Sequence, residues 1–284
     1  LPNVKRKIIL GISDPHCGYE LGLTNPETEL RNKGRPELNE SQDFLWNDVY
    51  LPGMRQTIDL AGRDDIHAFF LGDITHGIRF PTGQISTRMS DQISYACYSL
   101  LPLLKIKNVK SLDMAIGTSS HVFGEGSAEI LVADLLHEKV PNKPVSVSYH
   151  GLKEFGEFSI DYAHHGPSPG NRNWLRGNIA RLYLRSMMMD DLDSGSAPAN
   201  LVMRGHYHSF VKEWCCITRM GVDYESWIVI MPPMCFPSDY THQATRSGYR
   251  INVGLVAFEV INGRLHQTYP FIQSLDSRRI ERSE

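Results

Sequence analysis

Five short runs of aliphatic and aromatic residues each stop at a residue that can turn the chain or bind a metal. This pattern narrows the fold more than any other feature of the sequence. The runs are residues 7–13, 66–71, 112–116, 158–163 and 200–203. They deliver, in order, Asp14-Pro15-His16, Gly72-Asp73, Gly117-Thr118-Ser119-Ser120-His121, His164-His165 and Gly205-His206-Tyr207-His208. Strands alternating with helices, with polar residues gathered after the strand ends, predict an α/β protein that binds its ligand along that edge.

The intervening segments fit this reading. Residues 44–61 alternate apolar and polar positions at helical spacing, and a second helix is expected near Ser90-Asp91, two residues suited to N-capping. Its Ile93, Tyr95, Ala96, Tyr98, Leu100 and Leu101 are expected to pack on the sheet. A third helix is expected over residues 127–137. The last third is β-rich, with runs at 227–231, 253–261 and 265–269, and Asn262-Gly263 between the last two is a strong hairpin signal. This tail suggests a second sheet packed on the first. Residues 20–43 are polar and rich in Asn, Glu, Pro and Gly, so they read as a long excursion able to shape a pocket. No repeat or clean boundary interrupts the chain, and a single domain over 1–284 is the simpler expectation.

Residues two apart on an extended chain point the same way, so Asp14 and His16 can reach one ion together, and His206 and His208 likewise. Carboxylate and imidazole without thiolate suit Mn, Fe or Zn. Cys17 is expected to be a small buried residue rather than a soft ligand. Five cysteines without framework spacing read as reduced thiols. A net charge of -3 argues against a surface wholly devoted to nucleic acid, though local basic patches remain allowed. No stretch approaches a membrane span. The N-terminus runs straight into a strand, so the expectation is a cytoplasmic protein without a signal peptide.

Each fragment alone is weak, since a lone Asp-x-His or Gly-Asp is common. Their order is not. It resembles the calcineurin-like metallophosphoesterase superfamily from Asp14 to His208, and its small bacterial and phage members more than the eukaryotic phosphatases. The resemblance implies a four-layer α/β/β/α sandwich of two packed sheets, with a dinuclear metal site at one edge. It implies two divalent ions, Mn foremost, with Fe or Zn as alternatives. Asp14, His16 and His208 would ligate the first and Asp73 would bridge the pair. His206 and one of His164 or His165 would ligate the second, with His164 preferred and His165 turned toward substrate. Asp73 and His121 form the implied catalytic set, His121 neutralising charge or protonating the leaving group.

The third motif departs from the family. Where Gly-Asn-His is usual, and the Asn oxygen ligates the second metal, this chain has Gly117-Thr118-Ser119-Ser120-His121. Either Thr118 or Ser120 stands at the Asn position. A hydroxyl is a poorer ligand than an amide oxygen, which predicts a weaker second site. His76 replaces an acidic residue common in the family, and is expected beside substrate, supporting a ligand rather than acting as one.

Arg172, Arg176 and Arg181 follow the Gly166-Pro167-Ser168-Pro169-Gly170 loop, and Arg172 and Arg176 are candidates for holding phosphate. The alternative is a solvated helix face with Trp174, Leu175, Ile179, Leu182 and Tyr183 turned inward. Arg79 and Arg88 carry the same ambiguity. The expected function is metal-dependent phosphoester hydrolysis, a phosphodiesterase or nuclease ahead of a phosphomonoesterase or protein phosphatase. The alternative is a weakened scaffold serving as a protein- or nucleic-acid-binding module. A zinc peptidase is excluded for want of a His-Glu-x-x-His helix. The expected partner is a phosphoester, nucleotide or nucleic acid among them, with no membrane and with homo-oligomerisation left open.

Overall fold

β1 (Arg6–Ile12) lies inside a six-stranded sheet because nearly every residue it contributes is apolar on both faces: Ile8, Ile9, Leu10 and Ile12 are all buried. The computed structural model describes residues 5–32, 34–121, 127–170, 175–238, 250–276 and 278. β1 pairs in parallel with β2 (Asp65–Phe70), which pairs with β3 (Val109–Ala115), which pairs with β4 (Val145–Ser148). On its other side β1 meets the antiparallel hairpin of β10 (Arg250–Ile261) and β11 (Arg264–Asp276). The second sheet runs in the order β5 (His150–Phe155), β6 (Phe158–Ala163), β7 (Leu201–Arg204), β9 (Val222–Ile230), β8 (Val211–Arg219). Its three central strands are parallel and its two edges antiparallel.

Period-two alternation sorts the core into three apolar layers. Ile8, Leu10, Ala68, Phe70, Leu112 and Met114 face outward from the first sheet to the helices. Ile9, Phe69, Leu71 and Ala115 face the other way, where they meet Phe158, Ile160, Leu201 and Val229 of the second sheet. Val202, Ile228 and Ile230 face outward again, onto Ala180, Leu184 and Met188 of α5 (Asn178–Asp193). Three apolar interfaces require four layers, and the molecule is an α/β/β/α sandwich.

The helices over the first sheet are a continuous segment of α1 (Glu40–Asp43), a π-helical stretch (Phe44–Tyr50) and α2 (Leu51–Ala61), then α3 (Met89–Lys105) and α4 (Ser127–Lys139). The first begins four residues before the apolar pattern. Asn39 accepts from the Gln42 N–H while the Gln42 side chain accepts from the Asn39 N–H, closing a capping box.

Several sequence expectations are corrected. Ser90 and Asp91 are not caps: α3 starts behind Arg88 with no side-chain cap, and the Asp91 carboxylate instead accepts from the Ser86 hydroxyl at 2.8 Å and the Arg31 N–H at 3.2 Å. The inward face of α5 is Ala180, Leu184, Met188 and Leu192, whereas Leu175, Ile179 and Leu182 are exposed. Trp174 and Arg172 lie outside the described residues. The C-terminal hairpin does not form the second sheet; it extends the first, and β5 to β9 make the second. The described residues among 20–39 lack helix and strand as expected of an excursion, yet Leu23, Thr24, Asn25 and Thr28 are buried. Among the described residues, no helix is long and apolar enough to cross a membrane.

Candidate metal centre

The loops that follow β1, β2, β6 and β7 meet at one edge of the sandwich, and the backbone there is strained. Asp14, His16, Asp73, His206 and His208 all adopt left-handed conformations, with φ of 50°, 43°, 53°, 72° and 48°. Among the described non-glycine residues only Met220 and Asn262, both in hairpin turns, do the same. Such a conformation costs an L-residue about 1–3 kcal/mol and persists where surrounding structure enforces it. Here the loops brace one another. The N–H groups of Asp14, His16 and Cys17 donate to the carbonyls of Gly72, Asp73 and Ile74 at 3.3, 3.1 and 2.9 Å. The Gly205 N–H donates to the His164 carbonyl at 2.9 Å, and the His206 N–H to Asp14 Oδ2 at 3.1 Å. A Cβ on Gly205 would collide with the Ser13 hydroxyl, so only glycine lets β7 approach β1 this closely.

Of the donor groups that result among the described residues, two share Asp73. Asp14, His16 and Asp73 each place a ligand atom within 4.8 Å of the others, and so do Asp73, His164 and His206. His208 completes the first group: its Nε2 lies 3.3 Å from His16 Nε2 and 3.4 Å from Asp14 Oδ1. In the second, His164 Nε2 lies 3.1 Å from Asp73 Oδ2, while its Nδ1 donates to the Leu71 carbonyl at 2.5 Å. That bond aims Nε2 at the group. Of the two hydroxyls left open by the sequence, Thr118 stands here. Its Oγ1 is 3.0 Å from Asp73 Oδ2, 3.1 Å from His164 Nε2 and 3.4 Å from His206 Nδ1, and its N–H donates to Asp73 Oδ1 at 2.5 Å.

Around this centre, His165 is exposed with its ring 4.5 Å from that of His206. His121 sits on the opposite flank, its ring 4.5 Å from that of His16, and its Nδ1 donates to the His76 carbonyl at 2.8 Å. His76 stacks on Tyr19 at 4.3 Å and donates from Nε2 to the Phe80 carbonyl at 3.0 Å. Arg176 is exposed and donates to the Ser209 hydroxyl and the Phe210 carbonyl at 2.5 and 2.9 Å, bracing the chain just past His208.

Two neighbours escaped the sequence reading. Cys235 is buried with its Sγ 3.9 Å from His208 Nδ1. It too follows a strand end, that of β9, and this was the available signal. Glu129 is fully buried on α4, and its Oε1 accepts from the N–H groups of Ile74 and Gly117, both at 3.3 Å. An acidic residue in a first helical turn reads as an ordinary dipole partner, so nothing in the sequence marked it.

Burial opposes ionisation of Asp73, but the charge and hydrogen bond of His164 outweigh it and hold the carboxylate below its usual range. Burial likewise opposes the Asp14 anion, and His208 reverses the balance. The reciprocal effect appears on His164: burial disfavours its cation, yet Asp73 raises it to about 9. His206 is driven down to about 4 by burial and by its neighbours His164 and His165. The centre therefore holds two buried carboxylates as anions amid imidazoles. Asp14 Oδ1 is buried without a hydrogen-bond partner, and His16 and His208 point Nε2 at each other. A cation satisfies all three atoms at once, so the donor set fits divalent metal ions bound by oxygen and nitrogen.

No family model and no curated protein matches the chain. Among solved structures, the chain is similar to the crystal structure of a metallophosphoesterase from Sphaerobacter thermophilus. The two are 15% identical, the match covers 92% of this chain and 89% of that one, and the TM-score is 0.32.

Proposed function

We propose that this protein hydrolyses phosphoesters with a pair of divalent metal ions, as a phosphodiesterase or nuclease of the small bacterial and phage calcineurin-like kind. The observation that carries the reading is the pair of donor groups sharing one carboxylate, Asp73, at an edge where five donors are held in strained backbone. Strain retained at this one place needs a function to explain it. Asp14, His16 and His208 would hold one ion, His164 and His206 with Thr118 the other, and Asp73 both. Bound there, such a pair supplies activation of water and stabilisation of charge on the attacking and leaving oxygens at phosphorus.

The remaining residues handle protons and orientation. With the His121 Nδ1–H held by the His76 carbonyl, Nε2 is the nitrogen that gives a proton to the departing oxygen. His165, exposed beside His206, would meet the substrate. Arg176 gives Nη2 to the loop after His208, so it would support the ligands from behind while the rest of its fork meets phosphate.

Chelator-treated protein should be inactive on bis-p-nitrophenyl phosphate, and Mn should restore it at least as well as Mg, which favours all-oxygen shells. The diester should be cleaved faster than p-nitrophenyl phosphate. Asp73→Asn, which keeps the shape but loses the shared charge, should abolish turnover in a folded protein. Metal-independent hydrolysis, or an active Asp73→Asn protein, would overturn the reading.

A further inference from the structure

We propose that His16, His76 and His121 form a third cation site, joined to the dinuclear centre through His16, whose occupation by a late transition metal inhibits the enzyme. The proposal rests on the dinuclear reading above for its consequence. One ring nitrogen from each of the three residues lies within 4.8 Å of the others. The hydrogen bonds decide which nitrogens are left to bind. His121 spends Nδ1 on the His76 carbonyl at 2.8 Å, and His76 spends Nε2 on the Phe80 carbonyl at 3.0 Å. His16 turns Nε2 toward His208 Nε2 at 3.3 Å, on the side of the first donor group. His121 Nε2, His76 Nδ1 and His16 Nδ1 remain.

The second, independent observation is that two of these atoms are orphans. His16 Nδ1 and His76 Nδ1 are buried without a hydrogen-bond partner, in side chains of residues only 5% and 6% exposed. Two such atoms in one cluster mark a place built for a ligand, since leaving a buried polar atom unpaired destabilises the fold. None of the three rings stacks on another. His16 and His121 meet edge to face at 4.5 Å, and His76 lies tilted or edge-on at 6.2 and 5.8 Å from them. Stacking of His76 on Tyr19 fixes its plane. His121 is half-buried and gives the cluster a side open to solvent.

Chemistry sets both selectivity and rank. Three imidazoles and no carboxylate favour Zn, Ni or Cu over Mg, Mn or Ca. Ions already in the shared-Asp73 groups repel a third, so this site fills last and most weakly. As an ion enters, the protons on His16 Nδ1 and His121 Nε2 would both pass to solvent, and His16 would serve both sites with its two ring nitrogens. The ion then occupies His121 Nε2, and the proton donor is lost to the reaction.

The test counts ions and activity together in Mn-loaded protein titrated with Zn or Ni. Wild type should bind a third equivalent and lose activity as it does so, while added Mg or Mn should not inhibit. His76→Phe keeps the stack on Tyr19 and removes the ligand; His76→Gln is a second variant should that one fail to fold. Each, measured against its own starting rate, should bind only two equivalents and need at least tenfold more Zn for half-inhibition. Unchanged inhibition in both variants would overturn the site. So would wild type that is fully inhibited with two equivalents bound, because Zn would then simply have replaced Mn. A protein that binds fewer than two ions overturns the dinuclear reading, and this site with it.

Discussion

Thr118 and His121 stand three residues apart in the loop after β3 and would do different jobs. Thr118 offers one neutral oxygen to Asp73, His164 and His206, whereas His121 points away to the flank of His16. Unequal metal affinities follow, with the ion of the His164–His206 group leaving first on dialysis. Thr118→Asn, which supplies an amide oxygen, should slow that loss several-fold, read by metal analysis of dialysed protein. His121→Ala should leave metal content at two ions and slow alkyl or nucleoside leaving groups far more than p-nitrophenolate. Proton donation is worth about 10²–10⁴-fold in rate and least for acidic leaving groups. Equal slowing of both substrates with loss of one ion would make His121 a ligand instead.

At the scale of elements, α4 reaches the centre through Glu129. One carboxylate oxygen clamps the backbone after Asp73 and before Thr118, while Oε2 has no hydrogen-bond partner. Burial raises this acid from 4.5 to about 7. The folded protein therefore keeps the proton up to about pH 7, and the unfolded chain releases it near 4.5, so this group's contribution to stability falls as pH rises between those values. Glu129→Gln keeps the acceptor and removes the ionisation. In metal-free protein, the stability difference between variant and wild type should move in the variant's favour by on the order of 3 kcal/mol from pH 4.5 to 7, measured by urea denaturation. A difference that stays flat with pH would show that Glu129 does not titrate there. β1 and β2 were legible in the sequence through their buried apolar runs Ile8–Leu10 and Ala68–Phe70, and β6 through Phe158, Ile160 and Tyr162, which alternate with half-buried Ser159 and Asp161. β5 and β8 were not, because each is an edge strand with one exposed face, and residues such as Lys153, Glu154, Lys212 and Glu213 break the pattern. The order of donors along the chain was legible too. Glu129 and the link between His76 and His121 were not, since each depends on approach between segments far apart in sequence, whereas Cys235 carried a signal by following the end of β9.

For the whole molecule, the inner layer decides whether the edge exists at all. Phe69 is fully buried between the sheets, against Phe155 and Tyr162, two residues before the carbonyl that orients His164. Phe69→Ala should cost about 3–5 kcal/mol. Added Mn should recover part of it, because an ion that binds only the folded state stabilises by mass action; thermal melts with and without Mn read both effects. Asp14, His16, Asp73 and Thr118 belong to one sheet, and His164, His206 and His208 to the other. Bound ions would thus be a removable clasp between the two halves of the sandwich, closing a chain loop that runs from Asp14 to His208. In a cell short of metal the clasp would come undone, the donor loops would open, and proteases would gain access to strand ends that are otherwise shielded. The abundance of the protein would then follow the metal supply, with no dedicated regulator.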